Sequence, residues 1–421
     1  MNTVPTGVKP SGCPHFDAFD PLAPGQVADP FPILAKAREE QPVFYMEKYD
    51  LWVVTRRDDV LAIYKDLATY SNGNNHQSLS PKSQAVIDRV GEDWSIPVDG
   101  SLNVMDPPEH LPVKRLVMSV FHKALPGMDT WLETKLNGLV DRFVKDGETD
   151  LVANFTWPTT VSTVAHLIGA ADEETERFNE WAENWFELTG SDKLSPERAE
   201  ACWMGFIDFE QWAYDLLEAR RADPQHDLIS KLIEVQQAGG AITDRQIVTN
   251  MIGMVAAGTD TTANSIAQMV YMLLTHPDQF QKLREHPELR APMIEEVLRL
   301  RLPIRGVIRT VMRDVELSGV AIPQGAKIYV HLGSANRDAS LFEHPETFDM
   351  ERANAQKHVS FGGFNRACVG APLARLEMMK ALEVLLERLP NLRLAPNHEA
   401  LRYTESIIVP SLKSLRVQWD A

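Results

Sequence analysis

The longest helical signal in the chain sets the terms for its fold. Ile242–Pro277, ITDRQIVTNMIGMVAAGTDTTANSIAQMVYMLLTHP, opens with Thr243 and Gln246 in the spacing of a capping box. A helix running from there to Thr275 would be about 48 Å long at 1.5 Å per residue. Its middle is apolar nearly all round, so it has to be buried through the centre of a domain. Gly258, Thr259, Thr261 and Thr262 are poor helix formers placed mid-helix. A buried helix that tolerates them there asks for a functional explanation.

Around this helix the pattern stays mostly helical. Pro30–Glu40, Asp129–Lys145, Glu173–Leu188, Pro196–Arg221, Asp278–Arg284, Pro292–Leu300 and Ala371–Arg388 all read as helices, and another opens near Pro107–Pro108. Pro42–Val60 reads as a hairpin followed by a helix, with VFY and LWVVT flanking a polar turn at Glu47–Asp50. VELSG and Val320–Leu332 read as strands, and the tail ESIIVPSLKSLRVQW as a last hairpin. The result is a mainly α fold with small β-sheets. Residues 1–28 read as an irregular arm and 29–421 as one domain. Ser71–Val104 is long and weakly periodic, as functional loops are.

Composition removes several classes of function. The net charge of −17 argues against nucleic acid as a partner, since phosphates need basic surface. Three cysteines, Cys13, Cys202 and Cys368, are too few and too odd for a disulfide framework and suit a reducing compartment. The N-terminus lacks the apolar core of a signal peptide, and no apolar run approaches the roughly 20 residues that span a bilayer. The expectation is a cytoplasmic protein with no membrane partner.

Cys368 carries the strongest chemical signal. A lone cysteine in a large protein is ordinarily a small buried hydrophobe. Here Gly362, Gly363 and Gly370 let backbone approach a bulky object, Arg366 places a cation two residues away, and a helix begins at Ala371. Cation and helix N-terminus both favour a thiolate, which serves as a nucleophile or a metal ligand. No Gly-x-Ser-x-Gly, Cys-x-x-Cys or His-Glu-x-x-His pattern is present. A haem is the remaining group that uses a single thiolate.

The stretch His358–Arg375, HVSFGGFNRACVGAPLAR, resembles the haem-binding signature of the cytochrome P-450 superfamily, Phe-x-x-Gly-x-Arg/His-x-Cys-x-Gly. Phe361, Arg366, Cys368 and Gly370 match; Phe364 stands where the family has glycine, and its side chain would have to be housed beside the haem's cysteine face. Three more segments match in order and spacing. AAGTDTT (Ala256–Thr262) resembles the family's oxygen-activation segment, EVLR (Glu296–Arg299) its Glu-x-x-Arg pair, and MDPPEHLPVKR (Met105–Arg115) its propionate-reaching segment. The resemblance covers essentially the whole chain from Pro30.

The resemblance implies a single-domain cytochrome P-450 fold, with haem b between the long central helix and the cysteine-bearing loop. Cys368 would be the iron ligand, with Phe361 packed beside the sulfur and Arg366 nearby. His110, Lys114, Arg309 and His358 would meet the propionates, because buried anions need cations or donors. Glu296 and Arg299 would form a buried structural pair, with Asn336–Arg337 or Arg352 as third members. Asp260 and Thr261 would deliver protons to dioxygen on the face opposite the cysteine. For Thr261 the alternative is a hydroxyl bonded back to the carbonyl four residues earlier.

Substrate contacts are implied from Ser71–Val104, Ala257, Ile304, Val307 and Ile407, with Arg305 pointing away from the pocket rather than anchoring an anionic substrate. Phe178, Trp181, Trp185, Phe186, Trp203, Phe206, Phe209 and Trp212 make one helix pair unusually aromatic, as core or as a lid over an apolar pocket. The implied activity is a monooxygenase that puts one oxygen atom of O2 into a small apolar substrate, aromatic or terpenoid, by hydroxylation or oxidative dealkylation. Electrons would come from a separate ferredoxin or flavodoxin with its NAD(P)H reductase, docking near Lys114, Arg115, Arg366 and Arg375, and the enzyme would be a monomer. The alternatives are a peroxide-using or rearranging haem-thiolate enzyme, and a non-catalytic haem or ligand sensor.

Overall fold

The computed structural model describes the chain except for residues 1–13, 74–77, 79, 95, 97, 99, 191–193 and 397–400. The start of the expected arm, with Cys13, lies outside the described residues, as does part of Ser71–Val104. Helices dominate and the sheets are small. The chain forms two compact units. One comprises Met1–Gly73, Asn264–Ala371 and Leu392–Val417; the other Asn74–Ala263, Pro372–Asn391 and Gln418–Ala421.

The first unit is organised on a five-stranded sheet in the order Val43–Met46, Leu51–Val54, Lys327–Val330, Val307–Val311, Tyr70–Ser71. The expected hairpin is there: Val43 pairs with Val54 and Met46 with Leu51, across a short 3-10 turn at Glu47–Tyr49. Leu51–Val54 then pairs in parallel with Lys327–Val330. Side chains alternate between faces along a strand. Trp52, Val54, Ile328 and Val330 pack with Val60, Ile63 and Tyr64 of the Arg57–Lys65 helix. Leu51, Val53 and Tyr329 pack with Phe31, Leu34 and Ala37 of the Phe31–Glu40 helix. Both faces are covered, which is why LWVV reads as a continuous apolar run.

Two expectations shift here. Val307–Val311 is a strand paired on both sides, with Arg309 opposite Ile328. The expected last hairpin reduces to a single bridge, Tyr403 with Leu412, followed by the strand Arg416–Gln418.

The second unit is helical. Asp244–Thr275 runs for 32 residues and crosses from this unit into the first. Its capping box is reciprocal: Gln246 N donates to Thr243 Oγ1 at 3.2 Å and Thr243 N donates to Gln246 Oε1 at 2.9 Å. Asn250, one turn on, ties down Gly100–Leu102 by donating to Gly100 O and accepting from Leu102 N. At Gly258 an added Cβ would lie 2.9 Å from Val164 Cγ2, so glycine there permits the closest approach of the Trp157–Ile168 helix. That helix, Gln84–Val90 and Leu228–Gln237 were not expected from sequence.

The aromatic pair of helices, Thr175–Gly190 and Pro196–Ala222, spends most of its described rings on each other, while Trp203 meets Trp94 edge-on at 5.8 Å. Trp181 stacks on Phe209 at 4.3 Å, Phe178 meets Trp212 edge-on at 5.0 Å, and Trp185 tilts against Phe206 at 5.7 Å. Such pairs add about 0.5–1.5 kcal/mol each beyond the area they bury. Core packing, rather than a lid, accounts for these rings.

Candidate functional site

The cysteine loop is wound by its own backbone. Cys368 N donates to Phe361 O at 2.8 Å, Gly362 N to Val359 O at 2.8 Å, and Arg366 N to Gly363 O at 2.9 Å. Gly362 has φ +70, and a Cβ there would meet Arg366 O at 2.9 Å and Tyr64 Cε1 at 3.3 Å, so only glycine fits. A Cβ on Gly370 would lie 3.8 Å from Cys368 Sγ, so glycine there leaves that side of the sulfur open. Cys368 itself is exposed.

Phe364 resolves differently from expectation. Its φ is +49 and it is 51% exposed, so its ring is not packed inward beside the sulfur. The ring lies under Lys65, whose Nζ is 5.2 Å from its centre. The left-handed backbone explains why glycine is usual at this position; a bulky residue there carries strain of order 1 kcal/mol or more.

Behind the loop lies a fully buried ion-pair network. Arg299 Nε meets Glu296 Oε2 at 2.7 Å and Nη2 meets Oε1 at 2.8 Å, with both side chains 0% exposed. Arg352 is the third member, its Nε 3.0 Å from Glu296 Oε1. Arg299 Nη1 also donates to the Asn336 and Pro345 carbonyls. Arg337 turns elsewhere, to Glu346 and the Leu300 carbonyl. From Asn336 the network reaches the loop: Nδ2 donates to Ser360 Oγ, and Oδ1 accepts from Val359 N. Ser360 Oγ donates in turn to Leu298 O at 2.7 Å, closing the circuit on the Glu296–Arg299 helix.

The first unit also brings two of the expected propionate groups close to the loop. Arg309 is buried at 6% exposure and lies 5.6 Å from the Tyr64 ring centre. Burial pushes the Tyr64 hydroxyl up, and the charges of Arg309 and Arg366 pull it back down, which places all three together. Tyr64 was missed from sequence because it reads as one more apolar position on its helix. His358 is nearly buried. Its Nδ1 accepts from Ser360 N at 3.1 Å, so Nε2 carries the proton, 3.2 Å from Glu295 Oε2.

In the second unit the mid-helix segment shows a local change of face. Thr259, Asp260 and Thr262 are buried, whereas Ala257 is exposed and Thr261 partly so, one turn apart. Thr261 Oγ1 donates to Ala257 O at 2.6 Å, the back-bonded arrangement. Its proton is thereby committed and its oxygen remains an acceptor. His110 and Lys114 lie one turn apart on the His110–Ala124 helix, buried at 2% and 8% exposure. Lys114 is therefore too buried to take part in docking; Arg115 beside it is exposed.

Ile304 and Val307 pack against one hydrophobic cluster of the sheet and Ile407 against the other, with Tyr329 Oη donating to Ile407 O at 2.6 Å. Arg305 points to the Gln26 carbonyl and the Tyr403 ring. Among the described residues no His, Cys, Asp and Glu cluster forms a metal site, and no helix is long and apolar enough to cross a membrane.

Comparison with known proteins bears on the family and the fold. A family model described as Cytochrome P450 matches residues 197–409. The erythromycin C-12 hydroxylase of Saccharopolyspora erythraea is 32% identical over 379 residues, covering 89% of this chain and 91% of that protein. The structure of CYP109E1 from Bacillus megaterium in complex with testosterone superposes with a TM-score of 0.83 at 28% identity, over 95% of this chain and 100% of that one. An intact type IV self-sufficient cytochrome P450 monooxygenase gives a TM-score of 0.88 at 30% identity, over 99% of this chain and 54% of that one.

Proposed function

The chain belongs to the cytochrome P450 family of monooxygenases, and from that premise we propose that it binds haem b through Cys368 and oxidises a small apolar substrate, aromatic or terpenoid. The observation that carries this reading is the exposed Cys368 on a loop wound by its own amides and braced by the Glu296–Arg299–Asn336–Ser360 network. The donor set fits haem. One thiol is presented past two glycines, and Arg309, His110 and Lys114 are buried cationic or donor groups of the kind that propionates require. Bound haem iron would supply the activation of O2, one atom going to substrate and the other to water.

The chain's own residues do the rest. Arg366 beside the loop favours the thiolate form of Cys368. The Phe361 carbonyl, by accepting from Cys368 N, holds the backbone that carries the thiol. Arg309, Lys114 and His110 would hold the propionates. His358 Nε2, buried without a hydrogen-bond partner and 3.2 Å from Glu295 Oε2, would donate to a propionate. The Thr261 oxygen would accept a hydrogen bond from a water at this face of the helix, and the neighbouring Asp260 carboxyl would pass protons through that water. Ala257, with a methyl group alone, leaves space beside Thr261. Ile304, Val307 and Ile407 would give substrate an apolar lining.

Electrons would come from a separate ferredoxin or flavodoxin with its NAD(P)H reductase. Exposed Arg115 and partly exposed Arg366 and Arg375 are cations suited to an acidic donor. Thr261→Ala tests the proton role: NAD(P)H and O2 consumption should persist while product per O2 falls several-fold. Unchanged coupling would contradict it.

A further inference from the structure

A cavity in the first unit is lined by residues that none of the roles above uses. Gln268 of the long helix, Arg301 and Arg305 beyond the Arg290–Leu300 helix, and Tyr403 of the tail line it, with Phe31 and Leu302 as apolar walls. Its accessible volume is about 20 Å³, room for a water-sized group, and it opens partly to solvent.

The arginines here are unusual in what they lack. Arg305 is 9% exposed, yet among the described residues no carboxylate lies within ion-pair distance of it. Its Nη1 donates to the Gln26 carbonyl at 3.2 Å and its guanidinium lies 5.7 Å from the Tyr403 ring centre. The Nε and Nη2 edge has no hydrogen-bond partner among the described residues. That edge is the one that grips a carboxylate or phosphate with two parallel bonds. Arg301 faces the same space with weak partners, Met272 Sδ at 3.4 Å and the Tyr271 ring at 6.0 Å.

Gln268 adds a third signal. It is 3% exposed, its Nε2 lies 3.0 Å from Tyr403 Oη, and its Oε1 is buried without a partner. Reversing the amide lets Tyr403 donate to Oε1 and turns the Nε2 donors to where the orphaned oxygen stood. The set then becomes donors only: two guanidinium groups and an amide. Two like charges converging in a nearly buried place are costly unless an anion joins them.

We propose that this cavity binds a small oxyanion, a carboxylate or phosphate group, held by Arg305 and Arg301 with the Gln268 amide. Burial pushes the Arg305 guanidinium below its ordinary range; Tyr329, Tyr403 and the more distant Asp29 oppose the shift, and the like charge of Arg301 adds to it. A halide has no flat pair of acceptors to match the guanidinium edge, so the oxyanion is preferred.

The test is calorimetric titration and thermal melting of the haem-loaded protein with sodium acetate or sodium phosphate, at fixed ionic strength balanced with sodium chloride. Saturable binding and a rise in Tm are expected for at least one oxyanion. Acetate alone would mark a carboxylate ligand, phosphate alone a phosphate ligand, and both the shared chemistry. Arg305→Gln should weaken binding on the order of tenfold or more. Arg301→Gln, at a more exposed position, gives a second variant if the first does not fold. No saturable signal above the chloride control overturns the proposal, and so does binding that survives both substitutions unchanged. The readout is binding rather than turnover, so it stands or falls apart from the enzymatic reading.

Discussion

Asn336 Nδ2 donates to Ser360 Oγ at 2.8 Å, and Asn336 Oδ1 accepts from Val359 N at 2.8 Å. One amide side chain thus satisfies two groups at the entrance of the cysteine loop. Its own backbone carbonyl accepts from Arg299 Nη1 at 3.0 Å. The buried Glu296–Arg299 pair and the strand of backbone that presents Cys368 are therefore parts of one hydrogen-bonded assembly. The pair works at a distance, by fixing where the loop begins.

The two partners of that bond should differ in cost. Asn336→Ala strands the Val359 amide, takes one donor from the Ser360 hydroxyl and another from the Arg299 carbonyl, and should destabilise by about 2–3 kcal/mol; Ser360→Ala leaves the Asn336–Val359 bond and should cost about 1 kcal/mol. Chemical denaturation of the haem-loaded protein measures the difference, and haem loss to a scavenger should quicken more for Asn336→Ala. Equal effects, or no effect on haem retention, would show that the assembly does not position the loop.

Local signals were the ones legible beforehand. The capping box at Thr243 and Gln246, the hairpin around Glu47–Asp50 and the helix Ala371–Arg388 follow from neighbouring residues, and all three form as read. Trp157–Ile168 was missed because half of it, WPTTVSTVAHLI, is β-branched and favours strands when read alone; packing against Gly258 makes it helical. The strand Val307–Val311 was read only as pocket lining, since its partners come from distant parts of the chain. In the site, Cys368 and the Glu296–Arg299 pair could be named from motifs, whereas Tyr64, Ser360 and Glu295 could not. Their roles come from tertiary neighbours that no spacing encodes. Phe364 was visible as an oddity, but only its φ shows that the constraint is on the backbone rather than on space beside the sulfur.

His331 should set part of the acid limb of stability. Its Nδ1 accepts from Ser334 N at 3.1 Å, and burial, with Arg305, Arg38 and Arg337 adding like charge, pushes it down to about 3 from an ordinary 6.5. Above pH 6.5 the ring is neutral in both states and its contribution is complete. Below that the unfolded chain takes up a proton that the folded one refuses, so stability falls by about 1.4 kcal/mol per pH unit until the folded value is reached. His331→Asn keeps an acceptor for Ser334 and removes the titration. Its Tm should fall less steeply than the wild type between about pH 6 and pH 4; identical slopes would contradict this.

Glu377 should act in the opposite direction. Burial pushes its carboxyl up to about 8 from 4.5, partly offset by the side chain of Thr163. Between those values the folded state holds a proton that the unfolded state has lost, so stability declines as pH rises. Glu377→Gln removes that decline. Its Tm advantage over the wild type should grow from about pH 5 to pH 8, and an advantage that stays constant or shrinks would place a charged, compensated carboxylate there instead.

The central claim is that Cys368 carries haem iron as a thiolate. The reduced carbon monoxide spectrum of the haem-loaded protein tests it most directly. The wild type should show the red-shifted Soret band of a thiolate ligand, and Cys368→Ser should lose that band even where haem is retained. A wild-type spectrum without it, or a band that persists in Cys368→Ser, would contradict the account.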